Sequence, residues 1–103
     1  MLDDAATIYQ DAASRDPGNA IVWHMLGKSR ANQDRFVEAE EAMGAAFARA
    51  EGPFRATILR DRAAIALRRE DRASARELLR AALDVDPGNR AATELLATLG
   101  SAP

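Results

Sequence analysis

Small and apolar residues recur along the chain at spacings of three and four, as expected of helices that each bury one face. Ala5, Tyr9 and Ala12 form one such series, and Trp23, Leu26 and Gly27 begin a second. Ala39, Met43 and Ala46, then Leu59, Ala63 and Ala66, then Ala75, Leu79 and Ala82 continue the pattern. No stretch alternates apolar and polar residues as a half-buried strand would. Glycine and proline cluster at Asp16-Pro17-Gly18-Asn19, at Gly52-Pro53 and at Asp86-Pro87-Gly88-Asn89, where they punctuate the helices. The pattern predicts an all-α chain of six helices, at about 2–14, 19–32, 35–49, 53–69, 72–84 and 89–99, with a tail at 100–103. Asp16 and Asn19 carry side chains that can cap the helix after the first turn, and Pro17 suits its lead-in.

The tetrapeptide Asp-Pro-Gly-Asn occurs twice, about 70 residues apart, which is two units of roughly 34 residues plus a small insertion. Trp23-x2-Leu26-Gly27 opens one unit. Ala39-x3-Met43-x2-Ala46, Ala75-x3-Leu79-x2-Ala82-x4-Pro87 and Ala5-x3-Tyr9-x2-Ala12-x4-Pro17 repeat a second pattern in register, and Asp34-Arg35-Phe36-Val37-Glu38-Ala39 makes the turn between the two. On these residues the chain resembles the tetratricopeptide-repeat family, whose unit reads W-x2-L-G-x2-Y, then A-x3-F-x2-A, then P. It departs from that pattern at Arg30 and Ala66, where the family has Tyr, at Arg62 for Leu, and at Met43 and Leu79 for Phe. Gly52-Pro53 reads as part of a connection about two residues longer than the family norm.

The resemblance implies a right-handed α-solenoid of antiparallel helix pairs, forming a single domain over 1–99. Its parts would be a half repeat at 1–15, full repeats at 20–53 and 56–89, and a half repeat at 90–100. Gly27, Ala39, Ala63 and Ala75 would let paired helices approach toward the short end of the roughly 8–10 Å range. Trp23, Leu26, Phe36, Met43 and Phe47 would fill the space between them. Family members bind peptides along the first helix of each unit, which here carries over to Ile21, His24, Met25, Lys28 and Asn32, to Thr57, Arg60, Asp61, Ala64 and Arg68, and to Ala91, Glu94, Leu95 and Thr98. That face combines a basic set (Lys28, Arg60, Arg68 and His24) with an apolar strip (Ile21 and Met25), so it suits an acidic segment with apolar anchors. Asp61, Ala91 and Leu95 stand where a chaperone-binding subfamily has its carboxylate clamp, so that specialised reading does not fit.

Chemistry-bearing residues are few. The chain has no cysteine and one histidine, which excludes thiolate and His-rich metal sites. His24 has no second histidine and no evident Ser or Asp relay, and reads as a partly exposed helix residue. Ser14, Ser29 and Ser74 lack a nucleophile signature, and no glycine loop is built to cradle phosphate. Glu70-Asp71-Arg72 reads as a solvated turn. Fourteen basic and 16 acidic side chains give a net charge of -2, without the basic stripe or stacking aromatics of a nucleic-acid reader. No segment resembles a signal peptide or a membrane span, which predicts a cytoplasmic chain, and the excess of arginine and alanine over a single lysine suggests a bacterial genome.

The expectation is therefore a protein-interaction module with no catalysis and no cofactor. Two alternatives stand beside it. Terminal helices lacking a partner on one side would leave Leu2, Ile8, Leu95, Leu96 and Leu99 incompletely covered and available for homodimerisation. The chain would otherwise be the accessory domain of a larger enzyme.

Overall fold

The structure, a computed structural model, describes residues 2–100, with side chains from residue 5 onward. Six helices account for it: α1 (Leu2–Arg15), α2 (Ala20–Asn32), α3 (Phe36–Arg49), α4 (Phe54–Arg68), α5 (Arg72–Val85) and α6 (Arg90–Leu99). There is no strand among the described residues. Each boundary lies within a residue of its predicted place. The tail at 101–103 and the Leu2 side chain lie outside the described residues. The helices fall into two units, Met1–Ala50 with α1–α3 and Glu51–Pro103 with α4–α6.

Asparagine starts the helices that follow the two Asp-Pro-Gly-Asn turns. Asn19 Oδ1 accepts from the backbone N–H of Ile21 at 3.0 Å and of Val22 at 3.4 Å, and Asn89 Oδ1 accepts from Ala92 N–H at 2.9 Å. Each removes an orphan donor from a helix start, a contribution of about 1 kcal/mol. Asp16 does not itself cap α2; its carboxylate accepts from the Asn19 amide at 3.2 Å and so holds the cap in place.

The three connections 16–19, 50–53 and 86–89 are each four residues long. The segment around Gly52-Pro53 is therefore no longer than the others, contrary to the sequence reading. The two extra residues lie inside α4, which has 15 residues against 13 in α2. Pro53, which needs no N–H donor there, allows the helix to begin at Phe54 rather than 56.

Two helix pairs, α2–α3 and α4–α5, close through the same turn. Arg35 N–H donates to Arg30 O at 2.9 Å and Asp34 N–H to Ala31 O at 2.9 Å. Thirty-six residues on, Asp71 N–H donates to Ala66 O at 2.8 Å and Glu70 N–H to Leu67 O at 3.0 Å. This pair of reverse bonds is the Schellman termination, and it requires a left-handed residue after the helix cap. Asp34 (φ 60°) and Glu70 (φ 61°) supply it without being glycine.

Within the first unit α2 and α3 meet at Gly27. A Cβ there would lie 2.9 Å from Met43 Cγ and 3.1 Å from its Sδ and Cε, so the thioether occupies the space that any other residue would need. Met43 is fully buried, as are Ala39 and Ala46 on the same face of α3. Leu26 is buried beside Ala6 and Ala42, with Tyr9 and Trp23 packed against them, while Phe36 and Phe47 are only half-buried. In the second unit Ala63, Ala75, Leu79 and Ala82 are fully buried.

The Gly27 contact predicts a sign inversion. Gly27→Ala gains about 1 kcal/mol of helix propensity but forces an overpacked core that costs about 1–3 kcal/mol, so the variant should be less stable. In a Met43→Ala background the clash is gone and Gly27→Ala should stabilise by about 1 kcal/mol. Urea unfolding followed through Trp23 emission measures both; destabilisation in both backgrounds would refute the contact. The turns make a second prediction. A left-handed non-glycine residue costs about 1–2 kcal/mol, part of which glycine returns as chain entropy. Glu70→Gly should therefore raise stability by about 0.5–1 kcal/mol, and Asp34→Gly by less, because aspartate tolerates this conformation better.

Candidate functional site

Helical spacing sets Ile21, Met25, Lys28 and Asn32 on one face of α2. Ile21 is 62% exposed, Lys28 and Asn32 are exposed and Met25 is half-buried. His24 differs from the sequence reading. It is 7% exposed, the only buried polar residue in the described core. It stands three residues before Gly27 and seven before Ala31, on the side that packs inward, and does not contribute to an exposed face. On α4, Thr57, Arg60 and Asp61 are half-buried and Ala64 and Arg68 exposed. Arg60 Nε and Nη2 both donate to Asp61 Oδ1, at 3.3 and 3.0 Å, so the Arg60 charge is committed to its neighbour. Lys28 and Arg68 are the exposed cations of the predicted set. On α6, Ala91 and Leu95 are half-buried and Glu94 and Thr98 exposed, the Thr98 hydroxyl donating to Leu95 O at 2.6 Å.

The residues proposed for self-association separate. Ile8 is 62% exposed, whereas Leu95 and Leu96 are half-buried. Leu99 is 5% exposed and points inward, so it offers no surface. Arg72, at the start of α5, donates from Nη2 to the Leu99 carbonyl at 2.8 Å and closes the end of α6.

Pro17 anchors the first Asp-Pro-Gly-Asn turn. Its carbonyl accepts from Trp23 Nε1–H at 2.9 Å and also from Arg49 Nε–H. The Arg49 guanidinium lies 5.2 Å from the Trp23 ring centre, within cation–π range. In the second turn Thr93 stands where Trp23 does in the first, four residues past the capping asparagine, and its hydroxyl donates to Asn89 O instead.

One further feature has no signature along the chain. A cleft of about 310 Å³ opens on the first unit, on the side of α2 opposite Ile21 and Lys28. Trp23, Leu26 and Ala42 form its apolar part, and Gln10, Arg30, Glu38 and Glu41 its polar part. Arg30 donates to Gln10 Oε1 at 3.4 Å and pairs with Glu38 at 3.5 Å. Glu38 is held again by Arg35 at 2.7 Å. These charges are scattered over three helices and read along the chain as solvated faces.

Among the described residues no group of His, Cys, Asp or Glu is placed to hold a metal ion, and no helix is long and apolar enough to cross a membrane. Asp71 caps α5. The Ser74 hydroxyl and then the Ser74 N–H donate to its carboxylate, at 2.7 and 3.1 Å, and hold its pKa below the usual aspartate value. A depressed carboxylate stabilises the fold above its unfolded pKa, and that contribution disappears as pH falls through the folded value. Carbon-detected NMR titration should therefore show Asp71 protonating below the usual aspartate value. In Ser74→Ala its midpoint should move up while remaining depressed, because the backbone donor is kept; an unmoved midpoint would refute the hydroxyl's role.

No protein-family model matches the chain and no curated protein matches it, so its resemblance to tetratricopeptide repeats rests on its residues alone.

Proposed function

We propose that the chain is a tetratricopeptide-like interaction module, an α-solenoid of helix pairs without catalytic chemistry. It binds a partner segment on the exposed faces of the first helices of its pairs. The observation that carries this reading is the recurrence of one turn, bond for bond, in α2–α3 and α4–α5. Each pair also has the same small residues buried at matching places, Ala39 with Ala75 and Ala46 with Ala82. Ile21, exposed and on one helix face with exposed Lys28, offers an apolar anchor beside a cation. A protein segment with an acidic residue next to a Leu or Ile side chain would satisfy both.

The test is a peptide array of acidic segments with apolar anchors, probed with the full chain, and fluorescence polarisation of whatever it retains. Ile21→Glu should weaken binding about tenfold, and Lys28→Glu about fivefold. Joint reversal of Arg60 and Arg68 should weaken it less, because Asp61 already neutralises Arg60. Indifference to all of these would refute the reading.

The exposure of Ile8 favours a second reading, pairing with another copy through α1. Light scattering over a concentration series separates the two. A mass steady at 11.1 kDa excludes self-association, and a dimer dissociated by Ile8→Asp establishes it.

A further inference from the structure

The cleft on α1–α3 stands apart from the face of α2 proposed above, and its chemistry differs. Arg30 is engaged by Glu38 and Gln10, and Glu38 by Arg30 and Arg35. Glu41 is the exception. Its carboxylate has no ion-pair or hydrogen-bond partner among the described residues. The cleft therefore presents one uncompensated negative charge beside an apolar wall of Trp23, Leu26 and Ala42. The unit around it reinforces that sign, since residues 1–50 carry eight acidic side chains against five basic ones. Val37 lies one turn before Glu41 on α3 and is 65% exposed, so apolar surface continues beyond the cleft.

We infer that this cleft receives a lysine or arginine side chain from a partner protein segment, with an apolar neighbour of that residue resting on Val37. The volume is at the small end of ligand sites and suits one long side chain. Such a side chain lays its methylene stem on apolar surface and keeps its charged head at the edge, where Glu41 stands. An anionic group would meet Glu41 with no free cation beside it, because Arg30 is already paired. The continuation toward Val37 favours a peptide over a free amine.

The probe is the peptide acetyl-Val-Lys-Leu-amide, titrated into the full chain while the emission of Trp23, the only tryptophan, is recorded. Saturable change is expected. It should weaken about fivefold in Glu41→Gln, the value of one exposed charge pair, and further in Glu41→Lys. It should weaken by a similar factor when norleucine replaces lysine in the peptide, since the same charge pair is removed from the other side. Ile21→Glu, on the opposite face of α2, should leave it unchanged, so the result is independent of the function proposed above. The inference is overturned if Glu41→Gln binds as the unmodified chain does, if Ile21→Glu rather than Glu41→Gln abolishes binding, if butylamine alone binds as tightly as the peptide, or if Trp23 shows no saturable response.

Discussion

A missing side chain governs the first unit. Gly27 contributes no Cβ, and Met43 fills the space so released. Helices that approach so closely bring the rest of their faces into van der Waals contact, which is why alanine suffices at 39, 42 and 46. The chain is rich in alanine for the same reason: close-packed helices gain dispersion energy from many short contacts rather than from a few large side chains. At the matching places of the second unit, 36 residues on, stand Ala63 and Leu79, both wholly buried.

Turn chemistry divides the labour between side chains and backbone. Side chains start α2, α5 and α6, through Asn19, Asp71 and Asn89, whereas α3 and α4 begin at Arg35 and Pro53 without a side-chain cap. Where α2 and α4 end, backbone groups bond to backbone groups, and Asn32-Gln33-Asp34-Arg35 does the same work as Arg68-Arg69-Glu70-Asp71 with a different residue at each of the four places. The first Asp-Pro-Gly-Asn turn adds a third device, since one proline carbonyl receives donors from two helices. Loss of Arg49 would leave that oxygen with Trp23 alone and would remove the cation over the indole.

The helices were legible in the sequence because helical period and punctuation both reported them. The misplaced insertion was not, because counting apolar positions locates a register shift only to within a turn. Gly52-Pro53 has the composition of a loop, yet proline is equally at home at a helix start. The burial of His24 could have been read from its spacing to Gly27 and Ala31, had polarity not argued for the outside. The inward turn of Leu99 followed from its place at the end of α6, where Arg72 closes the helix over it. The cleft had no linear signature at all. It is made by residues from three helices whose charges become informative only when their mutual pairing is known.

Met43 also has a chemical consequence. Its side chain is wholly buried against the glycine of the opposite helix, so the closed hairpin shields the sulfur from oxidants. Oxidation must wait for the two helices to part, and once it has occurred the enlarged, polar side chain opposes their return. The thioether is thus both shielded by the hairpin and able to record its openings, in a mark that lasts until the sulfoxide is reduced.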